Sequence, residues 1–471
     1  MITIFPDILI LLFPFVMLSL KLFSKVSLKT QENFAVGYFL VVFVTLNFIL
    51  LGQDQFYLSN WKIDSFGIFM REIFVLSSLL AISLSHSYFN SSVSLKPKLL
   101  NFSEFSASVG FAAFGGIVVV SANDLLTLFI GLELATIPMY ALVAWNKRDS
   151  EGTEAAIKFI LTGSVATAFE LFGFSYLYGF SGFITFPEIT NAVATAQVSP
   201  LLWISLLFII SGIGFKMTLF PFHLWAPDIY EGAPTPVTAI LSVTSKAVAI
   251  TFLTVLVLGP LHSVQKEISP FLALLAGATL FVGNLGALSQ SKLRRFMAFS
   301  SISQAGYILI ALLGNTPNAK YSIVYYLFLY TFSNYLAFFI FSVVGKNQAE
   351  TFSALRGLSE KNKFLAISLL IALMSLAGIP PLAGFFGKLQ IFTTAAENGH
   401  FFLILFAVLN NVLALYYYIQ VLKSAWIDKP EKEIALSIPT KQKIIILILT
   451  LSVLLLGFLP FLSNNLSIAF L

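Results

Sequence analysis

No cysteine occurs among the 471 residues. That excludes disulfides, thiolate nucleophiles and Fe–S ligation within this chain. Histidine is almost as scarce: His86, His223, His262 and His400 are scattered, and no two stand at metal-ligand spacing. Charged residues supply only 10% of the chain against 58% hydrophobic, with mean hydropathy +0.90. An ordinary soluble domain is thereby excluded, and a polytopic all-α membrane protein is indicated. A β-barrel would show short alternating segments, whereas this chain shows long continuous apolar runs. A net charge of +5 would fit nucleic acid, but the cations lie between apolar runs, where topology accounts for them, so no nucleic-acid partner is expected.

Targeting segments are lacking too. Residues 1–24 start without a basic region and run too long for a signal peptide, so they read as a first span. An Arg-rich, amphipathic transit peptide is not evident. The 50 Phe residues, with many Lys and few Arg, resemble the product of an A/T-rich coding sequence, in an organelle or an A/T-rich bacterium.

Apolar windows predict about fourteen spans: 3–24, 33–53, 65–86, 106–122, 124–145, 153–180, 200–225, 234–260, 268–290, 295–314, 321–345, 363–395, 400–426 and 440–463. Eighteen Lys and Arg residues fall in connections on one side, among them Lys25, Lys29, Lys96, Lys98, Lys147, Arg148, Arg294, Arg295, Lys346, Lys432 and Lys443. The other side holds Lys62, Lys266 and Lys320, with Arg71 just inside a span. The cation-rich side therefore faces the matrix or cytoplasm, and an even span count puts both termini opposite.

Two spans are broken. The seventh reads GFKMTLFPFHLWAPD, with Pro221 and Pro227 after Lys216; the twelfth reads LMSLAGIPPLAGFFGKLQ, with Pro380 and Pro381 before Lys388. Proline removes a backbone donor, and open backbone at membrane depth is tolerated only inside protein or along a wet cavity. Paired discontinuous helices point to a transporter built from inverted repeats. The breaks lie five helices apart, and a five-helix repeat necessarily inverts its second copy. The expected organisation is a three-helix segment over 1–105, a first repeat over 106–262, a second, inverted one over 263–427, and a terminal helix over 428–471.

Four ionisable groups lie deep in these spans: Glu133, Lys216, Lys246 and Lys388. Each costs roughly 2.5–3.5 kcal/mol or more at a helix centre, so proton or ion movement is the natural reading. Buried structural pairing between helices is the alternative. If the spans of Glu133 and Lys216 are neighbours, the carboxylate holds the ammonium charged, and moving it away lets the desolvated amine release its proton. A static ion pair seldom repays its desolvation. Lys246 has Ser242 one turn before it, with Thr244 and Ser245 beside it, hydroxyls able to order water around an amine; the matching region of span thirteen holds Asn410 and Asn411. Lys388 suits a gate. Lys158, near a span end, fits snorkelling as well as function. Glu170 is deeper in the same span, with no partner legible. His223, in the first break, could shuttle protons or bond the opened backbone.

The stretch FKMTLFPFHLWAPDIYEGAPTPVTAILSVTSKA closely resembles the antiporter-like subunits of respiratory complex I, of the type called subunit N in bacteria and subunit 2 in mitochondria. NLGALSQSKLRRFMAFSSISQAGYILI, SLAGIPPLAGFFGKLQIF, TEAAIKFILTGS and LFIGLELATIPMYALVA resemble the same family, over roughly 105–425. The resemblance implies fourteen helices with two inverted five-helix half-channels. It also implies Glu133 and Lys216 as a modulating pair, Lys246 as central relay and Lys388 as terminal residue. Gln304 departs from the family, which often has His there; an amide orders water but does not readily take a proton. Glu170 stands where an apolar residue is expected.

The function so implied is proton translocation in the membrane arm of NADH:ubiquinone oxidoreductase. The expected partners are other membrane-arm subunits, including a neighbouring antiporter-like one, and lipids, with bound phospholipid. No cofactor is expected in this chain; FMN, Fe–S clusters and ubiquinone would belong to other subunits. The expected location is the mitochondrial inner membrane, with a bacterial plasma membrane or plastid thylakoid as alternatives. A multisubunit Na⁺/H⁺ antiporter subunit and a non-transporting scaffold are the competing functions.

Overall fold

The computed structural model describes residues 4–23, 26–52, 56–58, 61–91, 101–146, 149–195, 199–314, 316–345, 350–430, 436 and 438–458. Lys25, Lys96, Lys98, Lys147, Arg148, Lys346 and Lys432, counted above for orientation, lie outside the described residues. The chain forms two compact units, whose main stretches are 1–89 with 94–274, and 275–471.

The first unit contains α1 (Phe5–Phe23), α2 (Leu28–Gly52), α3 (Ser65–Ser91), α4 (Phe102–Ser121), α5 (Leu125–Val143), α6 (Ser150–Ser181), α7 (Phe186–Thr195), α8 (Pro200–Met217), α9 (Trp225–Gly232) and α10 (Thr235–Val257). α11 (Gln265–Leu288) begins there and continues into the second unit. That unit goes on with α12 (Leu293–Ala311), α13 (Thr316–Val344), α14 (Leu358–Lys361), α15 (Lys363–Ala377), α16 (Ala383–Glu397), α17 (Phe401–Trp426) and α18 (Thr440–Phe458). Each expected span coincides with one helix, except the twelfth, which holds the pair α15/α16; the seventh holds α8, and α9 starts only at its expected end, Trp225, and runs on to Gly232. Among the described residues, eleven helices are long and apolar enough to cross a membrane. The protein is a multi-pass all-α membrane protein.

Several elements carried no hydrophobic signal of span length. α7 is a short helix between spans, and β1 (Phe56–Leu58) pairs antiparallel with β2 (Trp61–Ile63). Spans four and five, nearly continuous as hydropathy, are separated by a turn. Asp124 caps α5 there, its carboxylate accepting from the backbone N–H of Thr127 at 2.8 Å.

Burial separates the helices. Almost every side chain of α10 is buried, as expected of a helix apolar all round. α6 instead exposes Ile157, Ile160, Leu161, Val165, Phe169 and Phe172, an apolar outer face suited to lipid or a neighbouring membrane subunit. Inside the first unit, Arg71 of α3 clasps Asp7 of α1 through two bonds of 2.8 and 3.0 Å. Both are buried, so α1 is tied to α3 by a charge-assisted bidentate pair.

In lipid, helices associate through packing rather than hydrophobic exclusion, and small residues let backbones approach. A Cβ on Gly115 of α4 would lie 2.3 Å from the backbone N of Ala135 in α5. A Cβ on Gly212 of α8 would lie 2.7 Å from the backbone O of Ala166 in α6 and 2.8 Å from the Cβ of Glu170. The first contact sets α4 against α5, and the second sets α6 against α8, which brings Glu170 beside α8.

The breaks share one design. α8 ends at Thr218 and α15 at Gly378, both left-handed, with φ of 63° and 78°. In each, the N–H of that residue and of the next turn back to the helix: Thr218 to Phe215 and Leu219 to Gly214, Gly378 to Ser375 and Ile379 to Met374. This pairing satisfies carbonyls that a helix end would orphan.

Gly115→Val forces α4 off α5 and is expected to destabilise the protein by at least about 1–3 kcal/mol. Gly179→Ala, where nothing lies within 4 Å, should be neutral. The melting temperature of the purified assembly checks this; equal stability of the two variants would remove the close approach as a constraint.

Candidate functional site

Three helices of the first unit converge on one ammonium. Lys216 sits in the last turn of α8, where carbonyl dipoles favour a cation. Its Nζ donates to Glu133 Oε1 of α5 at 2.6 Å. Thr167 of α6 donates to the same oxygen at 2.9 Å. One turn further along α6, Glu170 Oε2 lies 3.4 Å from the ammonium. Lys216 is 3% exposed and Glu170 0%, while Glu133 retains 17%.

Sequence reasoning placed Glu133 with Lys216 but left Glu170 without a partner. The structure makes it the second carboxylate of the same ammonium. Neither Glu170 oxygen receives a hydrogen bond among the described residues, so the ion contact is its visible compensation. The available signal was Gly212, one turn before Lys216 on α8, whose missing side chain leaves room for Glu170.

The break beyond Lys216 is closed by side chains. Trp225 of α9 donates its indole N–H to Phe215 O at 2.9 Å. His223 is buried in the turn beside Phe220, and its Nδ1 has no hydrogen-bond partner among the described residues. Pro221, in this turn, cannot donate a backbone proton.

Lys246, at 0% exposure in α10, donates to the Tyr230 hydroxyl of α9 at 3.1 Å. Tyr230 was not anticipated, although it sits in the Asp-Ile-Tyr-Glu-Gly stretch. Of the hydroxyls expected around Lys246, Ser242 bonds Ala239 O at 2.9 Å and Thr244 pairs with Ser77 of α3 at 2.7 Å. Lys158 lies on the outside of α6, 48% exposed, between Glu154 at 2.8 Å and Asp228 at 3.6 Å. It is not brought to Lys216.

In the second unit, Lys388 of α16 is 3% exposed. It donates to Leu376 O at 3.0 Å, Ala377 O at 3.4 Å and Asn411 Oδ1 of α17 at 2.6 Å. Its Nζ stands 4.4 Å from the centroid of the Tyr307 ring. Gln304 of α12 donates to Leu376 O at 3.2 Å and accepts from the Tyr326 hydroxyl. Asn410, expected beside Asn411 as a counterpart of Lys246, accepts from Asn284 through its backbone carbonyl at 3.0 Å instead.

Comparison with known proteins agrees along the whole length. A family model described as NADH:quinone oxidoreductase/Mrp antiporter, TM, matches residues 122–414. The NADH-quinone oxidoreductase subunit N of Nitrosomonas europaea is 33% identical over 99% of this chain and 96% of its own. A chain of respiratory complex I from Thermus thermophilus superposes with a TM-score of 0.82 at 28% identity, covering 98% of both chains. A chain of the Mrp complex from a Dietzia species reaches 0.82 at 18% identity over 99% of this chain and 97% of its own, a likeness of fold.

Gln304→Leu strips Leu376 O of a donor and the Tyr326 hydroxyl of its acceptor, and should cost about 1–3 kcal/mol. Gln304→His keeps a donor and an acceptor and should cost clearly less. Equal melting temperatures for the two variants would remove the amide's bonding role.

Proposed function

Because this chain belongs to the NADH:quinone oxidoreductase/Mrp antiporter transmembrane family and aligns end to end with a subunit N member, we propose that it translocates protons in the membrane arm of an NADH:quinone oxidoreductase. The observation that carries the reading is Lys216 between Glu133 and Glu170 at the break of the seventh span.

Two ionised groups held in a span cost together roughly 5–7 kcal/mol. Their attraction at the 2.6 Å of Lys216–Glu133 is roughly 6 kcal/mol at an effective dielectric of about 20. The terms nearly cancel. The pair is therefore a poor stabiliser but an inexpensive switch. While Glu133 is close, the ammonium keeps its proton. When α5 or α8 shifts and Glu133 withdraws, the amine is left beside Glu170, which can take the proton. Glu133 remains partly open, which suits the member that exchanges with a neighbour.

Lys246, held by Tyr230, is the central relay, and Lys388, in the second break, the terminal one. Ser242, Gln304 and His223 support the path through ordered water. Lys158 is a surface member, paired with Glu154 and Asp228. The inverted five-helix repeat is supported by the common hydrogen-bond design of the two breaks, at Thr218 and Gly378. Fe–S clusters are assigned to other subunits, since this chain has no thiolate to offer, and flavin and quinone are assigned there with them. Neighbouring membrane-arm subunits would drive the charge shift, making the chain part of a translocase without a redox centre of its own. The Phe- and Lys-rich composition fits a mitochondrial inner membrane, with a bacterial plasma membrane or plastid thylakoid as alternatives, and the loop charges support both termini facing away from the matrix or cytoplasm. The second reading, a Na⁺/H⁺ antiporter subunit, has the fold likeness to the Mrp chain behind it. Copurification with flavin and Fe–S subunits separates the two.

Lys216→Ala is expected to leave assembly largely intact and to lower NADH-driven proton pumping by about tenfold or more, with quinone reduction falling alongside. Pumping is measured in reconstituted vesicles; an unchanged number of protons per NADH in assembled Lys216→Ala complexes would overturn the reading.

A further inference from the structure

In an uninterrupted helix, Leu376 O and Ala377 O would accept from the backbone N–H of residues 380 and 381. Both positions are proline, which has no N–H. The double proline thus leaves two adjacent carbonyls without a backbone donor at the negative end of α15; Leu376 and Ala377 are buried, Pro380 and Pro381 are exposed, and Leu376 O also accepts from Gln304 at 3.2 Å. Gly378 turns the chain away with φ of 78°, and a Cβ there would lie 3.0 Å from Lys388 Cδ, so its absence makes room for the lysine stem. The freed carbonyls, Asn411 Oδ1 and the face of Tyr307 then surround one point, which the Lys388 ammonium occupies.

All three oxygens are neutral, and no carboxylate among the described residues pairs with Lys388. Neutral carbonyls at a half-helix C-terminus, with an amide oxygen and an aromatic face, are the groups that hold small monovalent cations in opened membrane helices. An ammonium offers three donors to three acceptors, a complete match.

We propose that the break of the twelfth span is a monovalent-cation cage, filled by the protein's own tethered ammonium. Filling it this way selects protons: a tethered amine can lose its proton but cannot leave, whereas a free cation could. Shortening Lys388 should therefore create a binding site for small primary ammonium ions. The inference concerns the cage itself and stands apart from whether Lys388 relays protons.

The test uses the purified assembled complex carrying Lys388→Ala, Lys388→Leu, or Lys388→Ala together with Asn411→Leu. Melting temperature is followed against methylammonium chloride, with tetramethylammonium chloride at equal ionic strength as the bulky control. Lys388→Ala should show a saturable rise with methylammonium that tetramethylammonium does not reproduce. The parent protein, its cage filled, and Lys388→Leu, its cage blocked, should show none. Adding Asn411→Leu should raise the half-saturating concentration about tenfold or more, the worth of a bond to a charged group. A Lys388→Ala complex that responds like the parent, or a Lys388→Leu complex that saturates equally, would overturn the cage. Should Lys388→Ala not assemble, recovery of assembly by methylammonium during growth supports the cage. An assembled Lys388→Ser complex that ignores methylammonium counts against it.

Discussion

The site of the first unit depends on one contact, the Lys216 ammonium with a carboxylate on either side. A charge in a span must be compensated at close range, and for Lys216 two other helices supply it. The close approach of α6 to α8 at Gly212 brings Glu170 beside α8, and Thr167 of α6 bonds the Glu133 carboxylate that reaches Lys216. The missing side chain of Gly212 is therefore part of what builds the site. The same contact explains why Glu170 is tolerated with neither oxygen hydrogen-bonded.

The breaks are the second constraint. Lys216 lies just before a left-handed residue and Lys388 beyond one, so each amine stands where carbonyl dipoles end. The amines differ in compensation. Lys216 faces two carboxylates; Lys388 faces neutral oxygens and a ring; Lys246 faces a phenol. A proton is held by charge at the first and by dipoles at the others.

Much of this was legible in the sequence, for a specific reason. An ionisable residue in a long apolar run stands out whatever its partners, and so does proline inside a span. Glu133, Lys216, Lys246, Lys388 and both breaks were found that way. Partners were not, because hydropathy marks depth and helical period marks a face, and neither names the helix opposite. Tyr230 and Tyr307 look like ordinary core aromatics, and Asn411 was read as the span-thirteen counterpart of Lys246, not as a partner of Lys388. Glu170 carried the strongest unread signal, an acid with no compensating base on its own helix face. α7 and the β1–β2 pair were missed because segments of three to ten residues give no span-length signal. The Asp7–Arg71 clasp joins groups 64 residues apart, beyond any local pattern.

The most direct measurement is a double-mutant cycle on proton pumping, using Glu133→Gln, Glu170→Gln and the pair together in reconstituted complexes. If both carboxylates act through the one ammonium, the double variant should lose little more than the worse single variant, because groups acting as a unit are strongly non-additive. Losses that multiply, as for independent sites, would contradict the shared ammonium as the centre of the mechanism.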